Sequence, residues 1–225
     1  MTLGIKIAID GPAAAGKSTI AKITAEILGY TYIDTGAMYR ALTHKALVRN
    51  INTNDGKELE ALLEDTKIVL KPSASGQAVI VDGEDVTEDI RSQLVTANVS
   101  SVATHMGVRQ LMVDKQRHLA EGAGVVMDGR DIGTAVLPDA ELKIFMTASV
   151  EERALRRHIE DEKRGFTTSL EQLKTEIAER DRADSERDVS PLRQAKDAVL
   201  IDTTAMTIAD VAEKISALAE KRMKL

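Results

Sequence analysis

Gly11-Pro12-Ala13-Ala14-Ala15-Gly16-Lys17-Ser18-Thr19 fits the pattern G-x-x-x-x-G-K-[ST], in which a glycine-rich loop surrounds the phosphates of a nucleotide. The largely apolar run before it, residues 5–9, predicts a buried strand. Isoleucines recur at helical spacing over residues 19–28, and Gly29 is typical of a helix end. Strand, loop and helix therefore come in the order that the motif requires. The alternative is a glycine turn that binds nothing, and the full pattern in this context favours a nucleoside triphosphate site.

The residues of this loop suit the chemistry of a triphosphate bound with Mg²⁺. Gly11 and Gly16 let the backbone curl so that successive N–H groups point at phosphate oxygens. The helix that follows adds the positive end of its dipole. Lys17 can reach the β- and γ-phosphates, and the hydroxyl of Ser18 can hold Mg²⁺. We therefore predict a phosphate-binding loop with Ser18 as the metal ligand.

Composition narrows the class of protein. The chain has 225 residues, 43% of them hydrophobic, which is enough for one α/β core with an inserted subdomain but not for two independent domains. It contains no cysteine, which excludes disulfides, thiolate metal sites and cysteine nucleophiles. Only four residues precede the first predicted strand, and no apolar run is long enough to span a bilayer. We therefore expect a soluble cytoplasmic protein without a signal peptide.

Charge narrows the class of partner. The net charge of −6 argues against nucleic acid and anionic membranes. Aromatic residues make up only 2% of the chain, too few for a platform that stacks single-stranded nucleic acid. Arginines nevertheless concentrate between Arg153 and Arg187. An acidic protein that gathers arginine in one region is suited to bind a small anion.

Strand-like and helical patterns alternate along most of the chain. We expect five core strands, at residues 5–9, 30–35, 125–128, 142–146 and 198–201. Helices between such strands imply right-handed crossovers and a parallel sheet, with ligand sites beyond the carboxyl ends of the strands. The loop at Gly11, Asp34, Asp128 and Ser149 all fall at such ends, so these positions are expected to converge.

The stretch from residue 57 to about residue 103 interrupts this alternation. It contains two β-rich runs, residues 66–70 and 78–81, which residues 72–76 join as a hairpin-like turn. Asp82-Gly83 marks a second turn. The pattern predicts a small antiparallel subdomain, inserted into the α/β chain, that covers a substrate.

Asp128 closes an apolar strand, the position of the carboxylate that orders the metal ion in many enzymes with this phosphate loop. The alternative is a simple turn aspartate before Gly129. Two acids, Asp128 and Asp131, flank Arg130, and this favours a site.

The helix that begins near Ser149, where Ser149 to Glu152 predict a capping box, carries a cluster of arginines. Arg153, Arg156 and Arg157 stand at i, i+3 and i+4 and share a face, which suits a lid that neutralises the transferred phosphoryl group. The alternative is a solvated charged helix. Lys163-Arg164-Gly165 predicts a hinge or lid tip.

A second capping box, Ser169 to Gln172, opens the next helix. An apolar stripe on this helix becomes charged towards its end, through Leu173, Ile177, Arg180, Asp184 and Arg187. Unpaired buried charges would be costly, so these groups should meet each other or a charged ligand. An internal ladder of ion pairs is the alternative to a site. Asp181 and Arg182 are expected to be solvated.

The chain as a whole resembles the bacterial cytidylate kinases. The resemblance depends on the blocks at residues 9–12, 34–40, 88–91, 128–134, 148–153, 179–181 and 190–192. It implies a P-loop NTPase fold of class α/β, with a five-stranded parallel sheet flanked by helices, an inserted antiparallel subdomain that binds the nucleoside monophosphate, and an arginine-rich lid. The implied divisions are a core of residues 1–36, 104–150 and 166–225, a monophosphate-binding region of residues 37–103, and a lid of residues 151–165.

The resemblance also implies substrates and site residues. The donor would be ATP with Mg²⁺, and the acceptor CMP or dCMP. The implied base-reading residues are Ser100, Arg109 and Asp131; those that hold the acceptor phosphate are Arg40, Arg130 and Arg187; those along the sugar and phosphate are Thr35, Arg180 and Asp184. The catalytic set would be Lys17, Asp128, Arg130, Arg153 and Arg157. The family often has serine where Thr35 stands, and Ala183 replaces an arginine of some members, so no role is carried over to position 183.

Two other function classes stay open from the sequence. One is another small P-loop kinase, acting on UMP, AMP or a non-nucleotide hydroxyl. The other is a nucleotide-dependent switch, disfavoured because the chain has no N-K-x-D tetrad and a switch needs no second arginine-rich anion site. We expect a monomer with no nucleic-acid or membrane partner.

Overall fold

The computed structural model describes residues 4–73, 76–122, 124–163 and 165–224. The chain forms two compact units, one of residues 1–31 and 123–225 and the other of residues 32–122. The strands are β1 (Lys6–Asp10), β2 (Thr31–Asp34), β3 (Ile68–Ser73), β4 (Gly76–Val81), β5 (Glu84–Asp85), β6 (Val125–Gly129), β7 (Leu142–Thr147) and β8 (Val199–Asp202). The α-helices are α1 (Lys17–Leu28), α2 (Thr35–Val48), α3 (Gly56–Glu64), α4 (Gln93–Val102), α5 (Met106–Leu119), α6 (Val150–Lys163), α7 (Leu170–Glu186) and α8 (Ile208–Met223).

The main sheet has five strands in the order β2-β6-β1-β7-β8. The pairs β1–β6, β1–β7 and β7–β8 are parallel. Ile7 and Ile9 of the central strand β1 are fully buried, as expected for a parallel strand that has helices on both faces. The parallel α/β core predicted from the alternation of patterns is confirmed.

The second unit contains an antiparallel three-stranded sheet, β3-β4-β5, as predicted. Asp82 and Gly83 have φ of 52° and 99°, the positive values that a two-residue type I′ turn requires. The prediction that residues 72, 73 and 76 belong to the first turn is wrong, because the first two lie in β3, Gly76 begins β4, and Ser73 pairs with Gly76. The intervening residues 74 and 75 lie outside the described part.

The core of this second unit lies between helices α2 to α5. Met38 and Leu42 of α2 pack with Leu59 and Leu63 of α3 and with Met112 of α5. A smaller apolar cluster joins α2 to the antiparallel sheet through Ala37, Ala41, Val79, Val81 and Ile90. The inserted segment is therefore packed on α2, the helix that carries Thr35 and Arg40.

Helix starts follow their capping residues. Helix α2 begins at Thr35, where the Asp34 carboxylate accepts from the Ala37 N–H at 2.8 Å. Ser149 and Ser169 cap α6 and α7 as predicted, but only half of each capping box forms. The N–H of Ser149 donates to Thr204 instead, and the side chain of Gln172 donates to Glu176. Of the predicted hinge, Arg164 lies outside the described residues.

Candidate functional site

The phosphate loop has the curled backbone that its glycines predict. Ala14 and Gly16 have φ of 57° and 84°, and helix α1 begins directly after Gly16, at Lys17. A Cβ at Gly11 would lie 2.0 Å from the backbone oxygen of Met146 in β7. Because that neighbour is backbone and cannot turn away, position 11 has room only for glycine. The loop is thus held against the sheet at one end and opens into α1 at the other.

Lys17 is buried within this loop. Its Nζ donates to the carbonyl of Pro12 at 2.7 Å. Burial, with the positive charge of Arg130 nearby, lowers its pKa to about 7. A triphosphate would reverse this, because an anion at the loop favours the ammonium form.

The loop and strand β6 meet at a hydroxyl and a carboxylate. The Ser18 hydroxyl donates to Oδ2 of Asp128 at 2.8 Å. Strand β6 lies beside β1 with Ile9 opposite Asp128, which brings Asp128 to the start of the loop. Hydroxyl and carboxylate oxygens are the hard ligands that Mg²⁺ prefers, so this pair fits the predicted metal site.

Arg153 is 5% exposed and belongs to the phosphate loop rather than to solvent. Its Nε donates to the carbonyl of Ala148 at 2.9 Å and its Nη1 to that of Ala13 at 3.1 Å. The same Nη1 pairs with Asp181 of α7 at 2.5 Å, and Asp181 also accepts from the N–H of Ala13 at 3.2 Å. Helices α6 and α7 thereby bind the N–H and the carbonyl of one loop residue, Ala13, and the alternative of a solvated helix is wrong for Arg153.

Asp181 was expected in solvent, and that expectation is wrong. Its side chain is 20% exposed and holds both Arg153 and the loop. The sequence did contain a signal: residues 173, 177 and 181 are spaced by four, so Asp181 continues the face of Leu173 and Ile177, both buried. The predicted stripe instead continues from Ile177 to Arg180, three residues further on, and so leaves Asp181 out.

The other two arginines of α6 have different partners. Arg156 pairs with Glu152 at 2.9 Å and donates to the carbonyl of Thr203 at 2.7 Å. A Cβ at Gly16 would lie 3.8 Å from its Nη1, so Arg156 also lies beside the phosphate loop. Arg157 pairs with Asp161 at 3.1 Å. The three arginines share a face of α6, but each has different partners, and they do not surround a common binding position.

A second cluster of charges forms after β6 and at the end of α7. Arg130 pairs with Asp184 at 2.8 Å. The Arg187 side chain, 6% exposed, lies 3.6 Å from both Asp184 and Asp131. Arg187 follows the last residue of α7, has extended backbone, and donates through Nε to the carbonyl of Ser190 at 2.7 Å. The predicted polar end of the stripe therefore lies partly beyond the helix, and the ion-pair ladder left open by the sequence is present.

The cluster also sets the charge state of Asp184. Burial raises the pKa of this carboxyl, but the facing guanidinium groups of Arg130, Arg180 and Arg187 lower it overall. Asp184 therefore stays ionised at neutral pH. Three guanidinium groups thus converge on one carboxylate, an arrangement that suits a phosphate group.

Four of the predicted site residues lie in the second unit. Thr35 begins α2, and Arg40, one turn further, pairs with Asp34 at 3.0 Å. Arg109 of α5 is 2% exposed; it donates to the carbonyl of Ala103 and lies 5.6 Å above the ring of Tyr39. Ser100 is half-buried on α4.

Tyr39 is a residue that the sequence analysis gave no role. Its ring supports the guanidinium of Arg109 by a cation–π contact. Its position in the block of residues 34–40 was the available signal.

Among the described residues, no helix has both the length and the apolar character needed to span a membrane.

Solved structures and curated sequences show where this architecture occurs. The shikimate kinase from Acinetobacter baumannii, solved in complex with shikimate, has a TM-score of 0.50 and 18% identity, covering 98% of this chain and 95% of that one. An uncharacterised protein from Eubacterium ventriosum has a TM-score of 0.52 and 13% identity, covering 96% of this chain and 98% of that one. At such identities the likeness concerns the fold alone.

The chain is far more similar in sequence to a group of curated proteins than to these solved structures. Cytidylate kinases of Geobacillus kaustophilus and Geobacillus thermodenitrificans are 61% and 62% identical to the chain over 219 residues, covering 97% of the chain and 98% of each relative. That of Lysinibacillus sphaericus is 59% identical over 223 residues, covering 99% of the chain and all of the relative. The sequence pattern described as cytidylate kinase matches residues 7–221. The chain therefore belongs to the cytidylate kinase family.

Proposed function

We propose that this member of the family transfers the γ-phosphoryl group of ATP to CMP and dCMP, forming CDP or dCDP and ADP. One observation supports the proposal most directly: the end of strand β6 supplies residues to both the donor loop and the second anion site. Asp128 pairs with Ser18 of the phosphate loop, and two residues later Arg130 enters the arginine cluster with Asp184. A donor loop and a second anion site are what phosphoryl transfer between two nucleotides needs.

On the donor side, residues 11–19 bind the phosphates of ATP. The ammonium of Lys17 leaves the Pro12 carbonyl for the β- and γ-phosphate oxygens. Ser18 and Asp128 would hold Mg²⁺, which when bound neutralises charge on the phosphate oxygens. Arg153, anchored at Ala13, and Arg157 offset the charge that develops on the transferred group.

On the acceptor side, Arg40, Arg130 and Arg187 hold the phosphate of CMP. Arg130 and Arg187 are now paired with carboxylates, so the incoming phosphate takes the place of part of this pairing. Thr35, Arg180 and Asp184 line the sugar and the phosphate. Binding thus orients an acceptor oxygen towards ATP without a covalent intermediate.

Ser100, Arg109 and Asp131 read the base. Cytosine offers an amino donor that a carboxylate accepts, and acceptors at N3 and O2 that arginine and serine satisfy. Uracil reverses this pattern and leaves the carboxylate without its donor, at a cost of about 1–3 kcal/mol. The preference for CMP over UMP follows from this mismatch.

We also propose that different segments of the chain have different roles. Residues 1–36, 104–150 and 166–225 form the core, residues 37–103 the acceptor-binding region, and residues 151–165 the lid. The enzyme acts as a cytoplasmic monomer on small nucleotides, with no nucleic-acid or membrane partner. A sedimentation experiment on the purified chain tests the monomer directly.

An acceptor panel tests the function. Purified protein with ATP and Mg²⁺ is offered CMP, dCMP, UMP and AMP, and ADP formation is followed. CMP and dCMP are expected to give the highest kcat/KM. UMP or AMP outpacing CMP would move the chain to another kinase class, and ATP binding without acceptor-dependent ADP formation would favour a switch.

A further inference from the structure

Asp10, the last residue of β1, is a buried carboxylate that the proposed chemistry does not use. It is 4% exposed. Its Oδ1 accepts from the N–H of Ile132 at 2.8 Å, and its Oδ2 accepts from the N–H of Gly133 at 2.7 Å. Both oxygens thus accept hydrogen bonds from two consecutive peptides, which lie more than a hundred residues away in sequence, in the segment that follows β6.

The two peptides begin the short π-type turn Ile132–Val136, for which Asp131 is the capping residue. An aspartate in that place commonly accepts from the second or third N–H of its own turn. The side chain of Asp131 makes no such capping bond. Of these donors Asp10 takes the second N–H, that of Gly133, and it also takes the first, that of Ile132. An oxygen of Asp131 lies 3.6 Å from Arg187.

The protonation state of Asp10 is consistent with this task. Burial raises its pKa to about 6, while the two N–H groups and Lys17 act in the opposite direction. At neutral pH it is therefore a carboxylate, a group that only accepts. A protonated acid would place its own hydrogen against one of the two donors.

We propose that Asp10 is a positioning residue for base selection: it caps the turn in place of Asp131 and so leaves the Asp131 carboxylate directed at cytosine. This inference depends on the proposed role of Asp131. It connects the strand that begins the donor loop with the residue that selects the acceptor. Asp10 acts through Asp131, and its effect is therefore on the choice between bases rather than on ATP.

Asp10→Asn tests this idea, because an amide of the same shape has one acceptor for two donors. One N–H of the turn then lacks its partner, and if this is the N–H of Gly133, the capping position of Asp131 allows its side chain to accept it. The ratio of kcat/KM for CMP to that for UMP is expected to fall about fivefold or more. Asp131→Ala should lower the same ratio, and the double variant should lower it no further than Asp131→Ala alone.

The matched control is Ile7→Val, which removes a buried methyl group from the same strand. It should lower the melting temperature and leave the ratio unchanged. Asp10→Glu, which keeps both acceptors but pushes the turn outward, serves if the asparagine variant does not fold, and it should also lower the ratio. An unchanged ratio in folded Asp10 variants, with Asp131→Ala lowering it, would overturn the inference alone. An unchanged ratio in Asp131→Ala would overturn the proposed base reading and this inference with it.

Discussion

At the residue scale, the contact between Asp181 and Arg153 links the phosphate loop to both α6 and α7. Arg153 is nearly completely buried, and its ionic partner is Asp181. An asparagine at position 181 could still accept from the Ala13 N–H but would leave the guanidinium without a counter-charge. Buried charges that lose a partner are costly, so Arg153 and the peptide of Ala13 should shift.

Asp181→Asn is therefore expected to lower kcat/KM for ATP about 10- to 150-fold, the range of a lost hydrogen bond to a charged group. The KM for CMP should stay within about twofold, because the pair touches the donor loop. Steady-state kinetics with each substrate varied in turn makes the measurement. Glu179→Gln, at an exposed position of the same helix, is the control and should behave like the parent. Equal losses for both substrates would contradict a role specific to the loop.

Arg187 lies beside both Asp131 and Asp184 in the arginine cluster proposed to hold the acceptor phosphate. Arg187→Ala should lower kcat/KM for CMP at least about 100-fold, because the acceptor phosphate loses a fixed cation and its orientation. The fold should survive, since Arg130 and Arg180 still face Asp184. Circular dichroism and ATP binding check this, and Arg182→Ala, exposed on α7, is the matched control. Near-normal turnover would remove Arg187 from the site.

The depressed pKa of Lys17 gives a prediction about protons. With a pKa of about 7, Lys17 is mostly neutral at pH 8. A bound triphosphate raises that pKa, so binding at pH 8 should take up about 0.9 proton and binding at pH 6 almost none from this group. Calorimetry of a non-hydrolysable ATP analogue in buffers of different ionisation enthalpy measures the uptake. Lys17→Arg, which stays charged, should show none at pH 8. The same uptake in this variant would assign the proton to another group.

At the element scale, helix α8 is the one helix of the described part in which both bonds of a capping box form. The Thr207 hydroxyl accepts from the Asp210 N–H at 3.2 Å, and the Asp210 carboxylate accepts from the Thr207 N–H at 3.1 Å. Both bonds join Thr207 to Asp210 at the start of α8 and use none of the arginines described above. This makes α8 a place where stability and activity can be separated.

Thr207→Ala is expected to lower the free energy of unfolding by about 1 kcal/mol, the usual value of such a cap. For a chain of this size the melting temperature should fall by about 2–4 °C. The kcat/KM for CMP at 25 °C should not change. Thr167→Ala, at an exposed loop position, controls for the loss of a hydroxyl and should leave the melting temperature within 1 °C or so. A drop in activity at unchanged stability would place α8 in the catalytic cycle.

The same scale shows what the sequence could and could not predict. Periodicity and glycine positions predicted the phosphate loop and the strands, because both depend on neighbours a few residues away. The parallel sheet also predicted that Asp128 and the loop converge. The strand order depends on distant residues, so the sequence did not predict that β6 lies beside β1 and that Asp128 accepts from Ser18. The role of Asp181 was not predicted because, after Ile177, a step of three leads to Arg180 and a step of four to Asp181, and helical spacing alone does not choose between them. Asp10 and the turn at residue 132 are joined only by the fold.

At the scale of the whole molecule, the chain combines a unit with the phosphate loop and the arginine cluster, and a unit with Arg40, Arg109 and Tyr39. Within the first unit, the phosphate loop around Lys17 and the cluster of Arg130, Asp184 and Arg187 are separate groups of residues. Two nucleotides should therefore bind at once, each without displacing the other. A single shared pocket predicts competition instead.

Calorimetry with a non-hydrolysable ATP analogue and CMP separates these outcomes. Each nucleotide should bind with a stoichiometry of one, and CMP should still bind to protein saturated with the analogue. Lys17→Ala should weaken the analogue at least about tenfold, because the ammonium is lost from the triphosphate, and change the affinity for CMP far less. Arg187→Ala should show the reverse pattern. If the two nucleotides exclude each other, or if both variants weaken both ligands equally, the arginine cluster is not a separate acceptor site.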